Sequence, residues 1–199
     1  MKGVFWNCNG FADGKKYRFL NELTKEKNLD FIALSETGRA NFPQSTLNNI
    51  CAGRDYLWHC MAPRGRSGGM LLGINLLNFD IGEIEEGDFF VRFKIRRRED
   101  DFKFNLISVY GPAQVEHKSL FLSEIVNVCS KEALPIIIGG DFNIIRRPQE
   151  KNNANFNNRW PFLFNAVIDS LNFREIEMSG RNFTWANNLP IQTFERLDR

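Results

Sequence analysis

The segment "LPIIIGGDFNIIRR" (Leu134–Arg147) drives an apolar run into two glycines and then presents Asp141, with Asn143 two places on. In an extended segment residues two apart share a side, so a carboxylate and an amide would stand together beyond the end of a buried strand. The same spacing recurs at Asn7 and Asn9 after a first strand-like segment; Glu36 ends a second such segment and Tyr110 a later one. Polar groups from several strand ends can therefore meet in one mouth. A carboxylate there is unfavourable unless paired, hydrated or coordinated, because desolvation penalises its charged form. Glu36 and Asp141, with Asp198, offer hard oxygen ligands suited to Mg2+ or Mn2+, and a divalent ion would offset their repulsion. The plainer alternative for "GGDFN" alone is a turn after a strand, since Gly, Asp and Asn favour turns.

Positioning those residues requires strands, and the apolar pattern supplies them. Lys2–Asn7 reads as an opening strand and Tyr17–Lys27 as a helix, with Phe19, Leu20 and Leu23 on one stripe. "LDFIALSE" (Leu29–Glu36) reads as a buried strand, followed by strands at "YLWHCMA" and "MLLGI". Phe89–Arg96 and Phe102–Tyr110 form a hairpin across the charged turn "RREDD". Ser119–Cys129 is a helix feeding the strand Leu134–Ile138, and Arg159–Leu171 is a further helix that tolerates Pro161 in its first turn. Two strand-helix-strand crossovers with an interposed hairpin point to an α/β chain of mixed sheets packed on each other with helices outside.

Composition narrows the classes. A chain of 199 residues with 43% apolar residues and 19 phenylalanines fits one globular domain with a large aromatic core and is unlike a disordered chain. A formal charge of +2 neither requires nor excludes a nucleic-acid ligand. Cys8, Cys51, Cys60 and Cys129 form no C-x-x-C pair and no histidine stands in metal-ligand register, so these are read as buried or incidental thiols. Without a signal sequence or a long apolar run, the expectation is an intracellular protein with no membrane span.

In order along the chain, "FWNCNG" (Phe5–Gly10), "ALSET" (Ala33–Thr37), "SVYGP" (Ser108–Pro112), "GGDFN" (Gly139–Asn143) and "ERLDR" (Glu195–Arg199) resemble the motifs of the endonuclease/exonuclease/phosphatase superfamily. "RSGGMLLGI" (Arg66–Ile74) and "RNFTWANN" (Arg181–Asn188) look most like the endonuclease domain of non-LTR (LINE-type) retroelements. The resemblance implies a DNase I-like, four-layer αββα sandwich of two mixed β-sheets with its site at one edge. It also implies a single domain over residues 1–199, incomplete at its C-terminus and lacking its last strands.

By the same resemblance, Glu36 is the principal ligand of Mg2+ or Mn2+, Asn7 helps hold the metal, and Asp198 supports the metal or the catalytic network. Asn9 stands where many relatives carry an aspartate. Tyr110 would lie near the scissile phosphate, Asp141 would orient or deprotonate the attacking water, and Asn143 would hold a phosphate oxygen. The metal set is thus Glu36, Asn7, Asp141 and Asp198. Relatives continue to a Ser-Asp-His segment, so the implied activity of this chain by itself is weak or nil.

The implied function is divalent-metal-dependent DNA nicking, in the nucleus, with a reverse-transcriptase domain as partner in the intact polyprotein. Two alternatives stand beside it: a phosphatase acting on small phosphate esters, and an inert nucleic-acid-binding or assembly module. Arg146 and Arg147, directly after the proposed site, and Arg64 and Arg66, before the glycines of "SGG", are phosphate-positioning candidates. Arg96 to Arg98 read as a solvated turn, His59 and His117 as packing or surface residues, and the scattered tryptophans as packing residues.

Overall fold

The computed structural model describes residues 1–63, 68–187 and 189–199. Within it the backbone forms two compact units, one of residues 1–110 with 134–140 and the other of residues 111–133 with 141–199.

The first unit opens with strand β1 (Gly3–Asn7), helix α1 (Gly14–Lys27) and strand β2 (Phe31–Ser35). Asp13 caps α1, its side chain accepting from the Lys15 amide at 2.9 Å, and Asn28 ends it in the left-handed conformation. A short helix α2 (Gln44–Ile50) precedes strands β3 (Tyr56–Met61) and β4 (Met70–Asn75). These strands make a mixed sheet in the order β1-β2-β4-β3, with β1 parallel to β2 and the remaining pairs antiparallel.

Strands β5 (Phe79–Glu86), β6 (Phe90–Arg97), β7 (Lys103–Tyr110) and β8 (Ile136–Asp141) form a second sheet in that order. The β6–β7 hairpin agrees with the sequence reading, whereas β5 and α2 were not anticipated. Asn105 donates to the Pro135 carbonyl, and Gly140 lies against Val109. The two contacts advance together along both strands, so β8 runs parallel to β7 and this sheet is mixed as well.

Strand β2 shows why the sheets stack. Its five residues are all buried: Phe31 and Ala33 face one way, into a core shared with Phe79, Val91, Phe93, Ile95 and Leu106 of the second sheet. Ile32 and Leu34 face the other way, into a core with Leu20 of α1 and Leu47 and Ile50 of α2. A strand buried on both faces reads as a continuous apolar run, as "FIALS" does. Each such side chain contributes about 1.5–3 kcal/mol, which holds the ends of β1 and β2 in register.

The second unit contains helices α3 (Lys118–Ser130) and α4 (Arg159–Ser170) and the two-residue strands β9 (Trp185–Ala186) and β10 (Phe194–Glu195). Phe142 is buried between Phe121 of α3 and Phe164 of α4, with ring centroids 6.2 and 5.2 Å away. The four cysteines are free thiols, three of them buried. No helix among the described residues is long and apolar enough to cross a membrane.

Candidate active site

In the first unit, the parallel pairing of β1 with β2 sets Asn7 opposite Ser35, so Asn7 and Glu36 emerge from adjacent strand ends. The ladder continues beyond the strands: Cys8 donates to the Ser35 carbonyl at 3.0 Å and Gly10 to the Glu36 carbonyl at 2.6 Å. Glu36 Oε1 accepts from Asn7 Nδ2 at 3.0 Å and from Tyr110 Oη, at the end of β7, at 2.8 Å. Oε2 makes no hydrogen bond among the described residues. Glu36 itself adopts φ 53°, a left-handed conformation uncommon for a non-glycine residue. Such conformations persist where surrounding structure imposes them, and they concentrate at functional sites.

Asn7 spends its other amide atom locally, Oδ1 accepting from the Asn9 backbone at 3.2 Å. It therefore orients Glu36 through Nδ2. Asn9 is exposed, with φ 42°. Lys16, unremarked in the sequence, reaches back from α1 to the carbonyls of Cys8, Asn9 and Gly10 at 2.6, 3.2 and 2.7 Å. Burial pushes the Cys8 thiol up to about 12, against the pull of Lys16, so this cysteine is no thiolate nucleophile at neutral pH.

In the second unit, Asp141 is 3% exposed. Its Oδ1 accepts from the Asn143 amide at 2.9 Å, its carbonyl accepts from the Gly111 amide at 2.7 Å, and Asn143 Nδ2 donates to the Gly111 carbonyl at 2.8 Å. Asn143 has φ 49°, so the segment turns instead of continuing extended and the same-side argument made from spacing does not hold. The glycine beside Tyr110 makes the turn feasible, since a Cβ on Gly111 would lie 2.3 Å from the Phe142 carbonyl oxygen. One N–H of the Asn143 side-chain amide has no partner among the described residues.

Asp198 faces Asp141 across an isolated antiparallel bridge, and its amide donates to Thr184 Oγ1 at 3.1 Å. Lys118, the first residue of α3, donates from Nζ to the Asn143 carbonyl at 2.7 Å. Burial lowers its pKa, while Glu195 and Asp141 act to raise it.

Arg146, a phosphate-positioning candidate, has its side chain engaged within the protein. Its guanidinium pairs with Glu175 at 2.5 Å and donates to Asn165 Oδ1 at 2.7 Å. Arg196 meets Glu175 at 2.7 Å, and Arg199 pairs with Glu175 at 3.3 Å and with the buried Glu150. Burial raises the Glu175 carboxyl, but Arg199, Arg146 and Arg196 outweigh it and hold the group below the usual range. Arg147 is exposed, and Arg64 and Arg66 lie outside the described residues. Arg96, Arg97 and Arg98 pair with Asp101, Asp100 and Asp80, a solvated charged turn as expected. His59 Nε2 meets Glu86 Oε1 at 2.5 Å, a surface pairing.

Among the described residues, no three His, Cys, Asp or Glu side chains group so as to hold a metal ion. The fit for a hard divalent cation rests on Glu36: one carboxylate oxygen is oriented by two donors while the other makes no hydrogen bond among the described residues. Mg2+ commonly keeps several waters and takes only one or two carboxylates from the protein, so such a donor suits it.

Two stacked mixed sheets, with polar side chains collected at strand ends, define an α/β fold of the DNase I-like class. The chain belongs to the endonuclease/exonuclease/phosphatase family, whose model matches residues 4–199. Its fold is similar to that of an AP endonuclease from Archaeoglobus fulgidus, with TM-score 0.63 and 16% identity over 85% of this chain and 70% of that one. TDP2 from Caenorhabditis elegans is matched with TM-score 0.58 and 14% identity, over 98% of this chain and 62% of that one. A mannosyl-6-phosphatase from Bacteroides thetaiotaomicron is matched with TM-score 0.53 and 14% identity, over 72% of this chain and 65% of that one. The chain thus spans less than two thirds of the length of the last two. At these identities the likeness is one of fold. No curated protein sequence matches the chain.

Proposed function

We propose that the chain is a divalent-metal-dependent phosphodiesterase that nicks DNA, of the type found in LINE-like retroelements. The observation that carries this reading is the Glu36 carboxylate, fixed on Oε1 by Asn7 and Tyr110, with Oε2 making no hydrogen bond among the described residues. Glu36 would hold Mg2+ or Mn2+; when bound, the ion supplies Lewis-acid stabilisation of charge on the phosphate.

Asn7 and Tyr110 keep the carboxylate in one orientation, Tyr110 through an O–H that donates to Oε1. Asp141 orients the attacking water and accepts its proton, a task suited to a carboxylate whose Oδ1 is already fixed by the Asn143 amide. Asn143 presents its remaining side-chain N–H to a phosphate oxygen, where a preoriented donor stabilises developing negative charge. DNA as substrate, a reverse-transcriptase partner and a nuclear location belong to the same reading.

Nicking of supercoiled plasmid with Mg2+ or Mn2+, abolished by EDTA, tests it. A second reading, hydrolysis of small phosphate monoesters, is favoured by the likeness to the mannosyl-6-phosphatase. Sugar phosphates assayed beside the plasmid separate the two: release of inorganic phosphate without nicking would replace the first reading by the second.

A further inference from the structure

Lys118 occupies a place that local rules disfavour. It opens α3 directly after the 3-10 turn Val115–His117 and is partly buried, where desolvation penalises its charge. A partly buried ammonium is retained where its partners compensate, and departures of this kind concentrate at functional sites.

The compensation comes from the Asp141 turn. Nζ donates to the Asn143 carbonyl at 2.7 Å, and the carboxylates that favour its charge are Glu195 of β10 and Asp141 itself. Asn143 is thereby held at three points: its amide by Asp141, its side-chain amide by the Gly111 carbonyl, and its carbonyl by Lys118. The first two also fix a backbone that an asparagine adopts only at some strain, at φ 49°. The third is charge-assisted, the stronger kind of hydrogen bond, and is the only one of the three anchored on a helix.

We infer that Lys118 is a positioning residue for the reaction, holding Asn143 in the left-handed turn from which its side-chain amide faces the phosphate. The inference rests on the proposed function for the word reaction, but the clamp itself is a property of the turn. Lys118 touches no reacting atom; it acts through Asn143.

The test uses the 199-residue chain with Lys118→Met, which keeps the stem and removes the charge, and Lys118→Arg, which keeps a charged donor. With DNA and Mn2+, the Met variant is expected to lose kcat by about 10- to 100-fold, the scale of a displaced positioning group. KM should stay within about twofold, and Arg should restore most of the loss. Amide exchange by NMR is the activity-independent arm: the Asn143 N–H should exchange faster in the Met variant, while Leu72, in the other unit, is unchanged. If the wild-type chain cleaves no phosphodiester, the proposed function fails and the exchange arm alone decides the clamp. Unchanged Asn143 exchange in Lys118→Met overturns the inference, as does a kcat equal to that of wild type in a chain that does cleave.

Discussion

Glu36 follows the central strand β2 and Asp141 ends the edge strand β8, and the contacts that hold them differ in range. Glu36 is oriented from a distance: Asn7 comes from a parallel neighbouring strand and Tyr110 from the other sheet, 74 positions along the chain. Asp141 is oriented locally, by the amide two residues on and by backbone contacts with Gly111. The first arrangement depends on the register of two packed sheets, whereas the second depends on a tight turn that only small residues permit. Changes at the first should alter chemistry with little loss of fold, and changes at the second should alter the fold itself.

Glycine at the approach to the turn should be the most sensitive position. Gly140 has φ +131°, and a Cβ there would lie 2.1 Å from the Val109 carbonyl oxygen. Gly140→Ala is expected to cost about 3 kcal/mol or more, from strain and overpacking together, read as a lowered urea midpoint. Retention of the wild-type midpoint would break the distinction between the two regions.

Arg146→Met is expected to destabilise by about 2 kcal/mol, short of the loss for a fully buried pair because Glu175 keeps Arg196 and Arg199. A sign follows for pH. The depressed folded pKa of Glu175 makes its contribution complete above the ordinary carboxylate range and lost as pH falls through the lowered value. Removing Arg146 weakens that depression, so acid unfolding of the variant should begin at higher pH than in wild type.

Tyr110→Phe removes one of the two donors on Glu36 Oε1 without touching the turn. A hydrogen bond to a charged group is worth about 1.5–3 kcal/mol, so nicking should slow about tenfold or more with the urea midpoint nearly unchanged. A stability loss larger than the activity loss would show that the sheet-borne cluster is structural. At the small end, Arg96→Ala disturbs only exposed ion pairs with Asp80 and Asp101 and should leave the urea midpoint unchanged within measurement error.

The long-range cluster was the more legible of the two in the sequence. Apolar runs such as "FIALS" announce their strands, and a polar residue closing each run announces a strand end; residues 7, 36 and 110 follow from that alone. The local turn is legible only as an alternative to an extended segment, since Gly, Asp and Asn favour turns but spacing does not report φ; Asn143 is left-handed. Strand β5 was missed because it alternates weakly, with a register irregularity between Ile81 and Ile84 and charged residues along an exposed edge. Helix α2 was missed because only Leu47 and Ile50 are buried in a seven-residue element. Arg146 looked available for phosphate because its partner Glu175 lies 29 positions away. Lys118 is not legible in the sequence, which starts the helix at Ser119; its part appears only with the Asn143 carbonyl.

Calorimetric titration of Mn2+ into wild type and into Glu36→Gln tests the central assignment most directly. Gln keeps the shape and loses the charge, so we expect the binding seen in wild type to weaken at least about tenfold, the lower end of what loss of support to a metal ligand costs. Equal affinity in the two proteins would contradict the placement of the cation on Glu36, and with it the hydrolytic reading of this chain.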